Sequence, residues 1–382
     1  MTGMKIRDVV CTVEPEMLFR RISFTKNSHE LFKLNFYYEL APYPMSLFAE
    51  SGMRKTKKST MYEVFSPFSD TDIVGDTVYV IDGGFLLHRV VWQKGEIFSG
   101  ILNRYTEYVK NHYKNSAIVV FDGYPENLAE KSTKCAERAR RTITCTREVV
   151  FDETMPAISS QSKFLSNERN KSRLIAMLIT KLTNEGFTVK QAIEDADTLI
   201  VTTAIEESAK AKSVPIVGED VDLLIILTAL SGSSTNIYML KPGKGNIENK
   251  LYTPSSMKFG SVVKDNILFL HAFSGADTTS AFFRQGKLKF IKLLEKHKQL
   301  QDLVTMFRDP YAEPEKIAEV GNAVIIQLYG TNECKSLCDA RYQCFAQLLN
   351  KTNFSLASLP PTDAAARFHS LPTYLRAEVV GK

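Results

Sequence analysis

The chain has little of what would mark a secreted, membrane-spanning or nucleotide-cradling protein. Six cysteines (Cys11, Cys135, Cys145, Cys334, Cys338 and Cys344) are scattered over 382 residues, too sparse for a disulfide-stapled secreted scaffold. No apolar run approaches the roughly 20 residues that a membrane-spanning helix needs. The opening MTGMKIRDVVCTVEPEM has no apolar core of the kind a secretory signal carries. An intracellular protein, nuclear or cytoplasmic and without a membrane partner, is expected. There is no internal repeat, no low-complexity segment, no phosphate-binding loop, no dinucleotide fingerprint and no Ser-His-Asp arrangement, which removes the enzyme classes built on those motifs. Nor is there strong charge of one sign. The formal net charge is +5, so any affinity for nucleic acid must come from local clusters of Lys and Arg.

What is present is ordinary in bulk and specific in pattern. A hydrophobic content of 44% and a charged content of 24% suit a globular protein, and a chain of this size buries a large core unaided. TVYVIDGG and SAIVVFDGYP each read as a buried strand that ends at an Asp-Gly turn. Helical patterns follow over about 97–113 and 164–185. EDADTLIVTTAIEESAKAK reads as an amphipathic helix opened by acids, VPIVGEDVDLLIIL as a third buried strand with its turn, and NIYMLKPG as a fourth strand. This alternation predicts an α/β fold with a parallel sheet flanked by helices, and from about residue 263 a helical C-terminal part. Four segments are expected: an extension at 1–76, a core at 77–262 with a basic segment at 127–175, a helical part at 263–350 and an irregular tail at 351–382.

The acids sit where such sheets bind ligands, beyond the carboxyl ends of strands. Asp82 and Asp122 each follow a buried strand, and Asp195/Asp197 and Asp220/Asp222 form two D-x-D pairs. Asp277 lies in a later turn, and Glu194 and Glu219 stand nearby. Each acid alone has a plain reading, as a turn former or as a first-turn residue complementing a helix dipole. Together they form a like-charged cluster that is costly to bury unless a cation joins it, and carboxylate oxygens suit Mg²⁺ or Mn²⁺.

Several other residues draw attention. The run Arg54, Lys55, Lys57 and Lys58 reads as a solvated charged stretch or an import signal. His88 reads as a surface or half-buried helix histidine and His271 as a core histidine. Cys334, Cys338 and Cys344 lack the second ligand pair of a zinc site. Tyr124 either stacks on a base or packs against its own loop.

The order VIDGG, VVFDGYP, EDADTLIV, GEDVDLLI and SGADTTS resembles the flap endonuclease/XPG-type nucleases of the wider PIN-like group. The resemblance covers about residues 77–300. It implies a PIN-like sheet and a structure-selective nuclease that hydrolyses phosphodiester bonds in DNA or RNA with two Mg²⁺ or Mn²⁺ ions. The ions would be held by Asp82, Asp122, Asp195, Asp197, Asp220, Asp222 and Asp277. KSTKCAERARR is similar to the family's basic arch helix, which implies that Lys131 and Arg138 face the scissile phosphate. Lys134 and Arg141 would help to bind a nucleic acid with a single-stranded end or flap. Three features depart from the family: the long segment before the first catalytic strand, two Asp in place of two Glu at 195 and 197, and FFRQGKLKFIKLL in place of a glycine-rich duplex-gripping hairpin. That segment still offers Arg284, Lys287 and Lys289 to phosphate. A non-catalytic scaffold of the same fold, binding nucleic acid or a protein, is the alternative expectation.

Overall fold

A computed structural model describes residues 33–69, 76–124, 147–232, 234–331, 333–348 and 355–377, with backbone only for 2–6, 9–13 and 378–381. The chain forms two compact units, residues 57–271 with 380–382, and residues 1–56 with 272–379. Changes of character read in the sequence fall at 76/77 and 262/263.

The second of these units begins with two antiparallel hairpins. β1 (Thr2–Ile6) pairs with β2 (Val9–Val13), and β3 (Phe48–Ala49) pairs with β4 (Gly52–Met53).

The 57–271 unit is built on one sheet. Its strands are β5 (Val80–Asp82), β6 (Ile118–Phe121), β7 (Thr188–Gln191), β8 (Val214–Val217), β9 (Ile237–Lys241) and β10 (Lys250–Tyr252). They lie in the order β10-β9-β8-β5-β6-β7. All pairs are parallel except β9–β10. Side chains of a strand alternate between faces. Ile81, Val119, Phe121 and Val217 enter one core with three helices, α1 (Gly83–Arg89), α2 (Phe98–Tyr113) and α4 (Glu168–Asn184); the short α3 (Gln161–Leu165) lies between α2 and α4 in sequence. Their neighbours Val80, Ile118, Val120 and Ile216, also buried, face the other side. There α5 (Asp197–Ser208) lies against β5 and β8, with α6 (Val221–Leu230) beside it. α7 (Ser261–Asp265) and α8 (Ile267–Phe273) follow.

The expected α/β sheet is therefore present, with two differences in detail. The run VDLLIIL was read as part of a strand and its turn, and it is the helix α6, capped by the Asp220 side chain. An unbroken apolar run cannot distinguish a buried helix from a buried strand by periodicity. β7 was not foreseen, because TVKQ has one apolar residue and lies at the sheet edge.

The 1–56/272–379 unit is helical in its later part: α9 (Lys287–Lys296), α10 (Lys298–Val304), α11 (Pro314–Leu328), α12 (Leu337–Leu348) and α13 (Asp363–Gly381). The tail expected to be irregular thus contains a 19-residue helix. Its Ala366, His369, Ser370 and Thr373 are buried, and packing of that face sustains the helix more than residue propensity does. Buried Arg341 on α12 ties distant segments together. Its guanidinium donates to the carbonyls of Phe36 (2.9 Å), Tyr38 (3.1 Å) and Pro360. Cys338 and Cys344 are free thiols packed with Phe36, Phe345 and Leu359. Among the described residues, no helix is long and apolar enough to cross a membrane.

Candidate active site

Four neighbouring strands end in acids. β8 leads to Asp220 and Asp222, β5 ends at Asp82, β6 is followed by Asp122, and β7 runs into the loop carrying Asp195 and Asp197. Strands in a sheet stand about 4.8 Å apart, so parallel pairing places acids from across 140 residues of chain at one end of the sheet.

Local chemistry fixes each one. Asp82 caps α1, its Oδ1 accepting from the Gly84 amide at 2.8 Å. Gly83 is required beside it, since a Cβ there would stand 2.2 Å from the Phe121 ring. The far end of α1 is pinned by the Gln161 amide, which donates to the carbonyls of Leu87 and Val90, each at 2.8 Å. Asp122 Oδ1 accepts from the Ala196 amide at 3.1 Å, and Lys171 Nζ lies 3.9 Å from its Oδ2. Asp220 caps α6 through the Asp222 amide at 3.0 Å.

The electrostatics are those of crowded like charges. Burial first, then the Asp122 charge, with a smaller push from Asp220, raises the Asp82 pKa to about 7 against the pull of the Phe85 and Gly84 amides. The Asp82 carboxyl thus feels the charges of Asp122 and Asp220. A cleft of about 650 Å³ opens beside Asp82 and Asp220, bordered by Phe85, His88, Arg89, Glu219 and Lys244. Partial burial, then the charge of Lys171, lowers the pKa of His88, a residue open to solvent as expected.

Asp222 is differently placed. It is 3% exposed, with Lys58 Nζ 2.9 Å from Oδ2 and His271 Nε2 3.1 Å from Oδ1. The reading of 54–58 as a solvated stretch is thus corrected at Arg54 and Lys58, while Lys55 and Lys57 are exposed as read. Lys58 meets Asp222, Lys55 donates to the Asp277 carbonyl at 3.0 Å, and the Arg54 guanidinium lies 4.7 Å from the Phe283 ring centre. A run of four cations is usually solvated, and at Arg54 and Lys58 tertiary partners far along the chain override that tendency. His271 is a core histidine as read, and its neighbour is an acid.

The remaining expected residues divide clearly. Asp195 and Asp197 are half-buried, next to the Ala196 that binds Asp122. Asp277 belongs to the other unit. Among the described residues, no three His, Cys, Asp or Glu side chains converge as a finished metal cage. Tyr124 packs against the core, with Lys171 Nζ 5.3 Å from its ring centre. Arg284 and Lys289 are exposed. Lys287 is not available to phosphate: it is 1% exposed, and its ammonium donates to Gly275 O (2.6 Å) and Ser274 Oγ (3.1 Å). A lysine at the first turn of a helix reads as surface, and the buried carbonyl opposite draws this one inward. Lys131, Lys134, Arg138 and Arg141 lie outside the described residues. Lys58, Lys171 and Tyr62, whose hydroxyl donates to Glu219 O at 3.2 Å, had no local signal in the sequence.

No protein-family model matches the chain, and no curated protein does. Among solved structures it is similar to the catalytic core of Rad2 in complex with DNA substrate, at 12% identity and a TM-score of 0.39, covering 81% of this chain and 96% of that one. It is also similar to a bacteriophage T5 flap endonuclease complex with DNA and metal ions, at 9% identity and a TM-score of 0.36, covering 78% and 99%. The eukaryotic junction-resolving enzyme GEN-1 is similar at 15% identity and a TM-score of 0.40, covering 83% and 65%. The chemistry of the site rests on the chain's own side chains.

Proposed function

We propose that this protein is a divalent-metal-dependent nuclease that hydrolyses phosphodiester bonds in DNA or RNA. The observation that supports it is the group Asp82, Asp122 and Asp220 at the ends of adjacent strands, with the Asp82 carboxyl pushed up to about 7 by burial and by its acidic neighbours. Carboxylates held this way are relieved by a cation, and an all-oxygen donor set suits Mg²⁺ or Mn²⁺. Asp82, Asp122 and Asp220 would hold it, with Asp195 contributing from the loop after β7 and Asp197 from the start of α5. Such a cation supplies an acidified water and charge stabilisation at phosphorus.

The chain's own groups do the rest. The cleft beside Asp82 admits a nucleotide-sized portion of substrate. Lys244 borders the cleft beside Glu219 and Lys171 stands next to Asp122, and both can bind the phosphate backbone. Lys131 and Arg138 complete this role in the proposal, binding and polarising the scissile phosphate, with Lys134 and Arg141 as further nucleic-acid contacts. Arg284 and Lys289 are proposed as further phosphate contacts. The proposed substrate carries a single-stranded end or flap.

The test is cleavage of labelled single-stranded, duplex and 5′-flap DNA and RNA with Mg²⁺, Mn²⁺ or EDTA, with Asp220→Ala in parallel. Metal-dependent cutting that falls by at least about a hundredfold in Asp220→Ala is expected. Equal rates in both proteins would sink the assignment.

One observation favours a second reading. Asp222 already has Lys58 and His271 against it, and Asp122 has Lys171 nearby. A site neutralised from within suits a non-catalytic scaffold. That reading requires salt-sensitive binding of nucleic acid with no turnover at any metal concentration.

A further inference from the structure

Asp222 is a poor candidate for ligating a metal ion, although it sits two residues from Asp220. Its carboxylate is almost wholly buried, and a cationic or ionisable nitrogen lies within 3.1 Å of each oxygen. A buried carboxylate must be paired to be tolerated, and here the Lys58 ammonium donates to Oδ2 at 2.9 Å, while His271 Nε2 touches Oδ1 at 3.1 Å in a geometry that makes no hydrogen bond. Lys58 is rigidly presented. It opens a 3-10 turn, Lys58–Val64, whose Met61, Tyr62 and Val64 are buried. Tyr62 is bonded to Glu219 O, and Lys258 donates to Val64 O and to Glu63 O, each at 2.9 Å. The segment that carries Lys58 is thus packed in place, and the Lys58 ammonium meets Asp222 Oδ2 at 2.9 Å.

Asp82 has a different environment. Its Oδ1 accepts from the Gly84 amide at 2.8 Å, and it borders the cleft together with Asp220. The acid row is thus split into a portion facing the cleft, around Asp82 and Asp220, and a portion at Asp222 already supplied with positive charge.

We infer that Lys58, seated on Asp222 with His271, takes the place of a second divalent cation, so that this site binds one ion. The inference rests on the metal-dependent reading given above. A second ion would have to displace a part-buried ammonium already paired with a buried carboxylate, which weakens it by about a hundredfold.

The experiment counts Mn²⁺ bound to the full chain by isothermal titration calorimetry, for wild type, Lys58→Met and Asp222→Asn. The expected result is one ion for wild type and two for Lys58→Met. Asp222→Asn should still bind one, with an affinity within about twofold of wild type, because its side chain does not hold the ion. Equal counts in wild type and Lys58→Met overturn the inference. If both bind two, the metal-dependent reading survives without it; if both bind none, that reading fails as well. Should Lys58→Met not fold, Asp222→Asn decides: loss of an ion there makes Asp222 a ligand and overturns the inference.

Discussion

The backbone amide of Ala196 donates to Oδ1 of Asp122 across 3.1 Å, so the acid at the end of β6 anchors the loop that carries Asp195 and opens α5. Two further bonds press that loop onto the strand end, Gly123 N to Glu194 O at 2.9 Å and Ala192 N to Phe121 O at 2.9 Å. Only glycine fits at 123. A Cβ would stand 2.1 Å from the Ile193 carbonyl oxygen and 2.2 Å from that of Ala192, and backbone oxygens cannot rotate away as a side chain can. Gly123→Ala is therefore expected to destabilise the protein by about 3 kcal/mol or more. The check is a urea titration, where the midpoint should fall at constant slope. An unchanged midpoint would mean that the loop yields without cost.

Asp82 carries a second prediction, on pH. Its folded pKa of about 7 exceeds the ordinary 3.8, so the folded protein holds a proton that the unfolded chain has already lost. This contribution to stability is fully present below about pH 4 and disappears as pH rises to about 7. Asp82→Asn keeps a capping oxygen and removes the titration. Relative to wild type without metal, the variant should gain stability steadily over that window, by at most about 4 kcal/mol at pH 8. Added Mn²⁺ should stabilise wild type far more than the variant. Parallel stability curves for the two proteins from pH 4 to 8 would contradict the crowding of carboxylates.

How much of this was legible in the sequence follows from the range of each interaction. Asp82, Asp122 and Asp220 were readable because a buried apolar run followed by an acid and glycine is a local pattern. So was the alternation of strands and helices. β7 was not, because an edge strand needs few apolar residues, and without it the position of Asp195 and Asp197 beside Asp122 had no structural basis. The helix α6 was hidden by its own uniform burial. Lys58 and Lys171 were beyond reach for a different reason. Their partners, Asp222 and Asp122, lie 164 and 49 residues away, and nothing around either lysine announces a buried carboxylate. Lys287 misled in the opposite direction, since its burial depends on the Ser274–Gly275 turn.

His369 supplies a third prediction, in the 1–56/272–379 unit. It is buried, its Nε2 lies 2.9 Å from Phe273 O and its Nδ1 lies 3.2 Å from Ser280 Oγ. A carbonyl only accepts, so Nε2 carries the proton and Nδ1 accepts from the serine hydroxyl. Burial lowers its pKa to about 4, against the pull of the Phe273 carbonyl. As pH falls below about 6.5 the unfolded chain binds a proton that the folded protein refuses, so stability drops until about pH 4, by about 3 kcal/mol in all. His369→Gln should lower stability at pH 7 and remove this acid-sensitive portion. An acid slope identical to wild type would assign the proton uptake elsewhere.

Lys171 carries the last prediction, and it concerns binding. On α4 it stands 3.9 Å from Asp122 and 5.3 Å from the centre of the Tyr124 ring. Its side chain is 17% exposed, so its charge is directed along the strand ends with little dilution by bulk water. If the proposed nucleic-acid contact is right, one phosphate is neutralised by this ammonium and one counterion is released with it. Lys171→Met should then weaken binding to every nucleic-acid sequence alike and flatten the slope of log Kd against log salt by about 0.7–0.9. The measurement is fluorescence anisotropy at several salt concentrations, with EDTA present so that cleavage does not intervene. Weaker binding at an unchanged slope would make Lys171 a support for Asp122 and Tyr124, with no phosphate of its own.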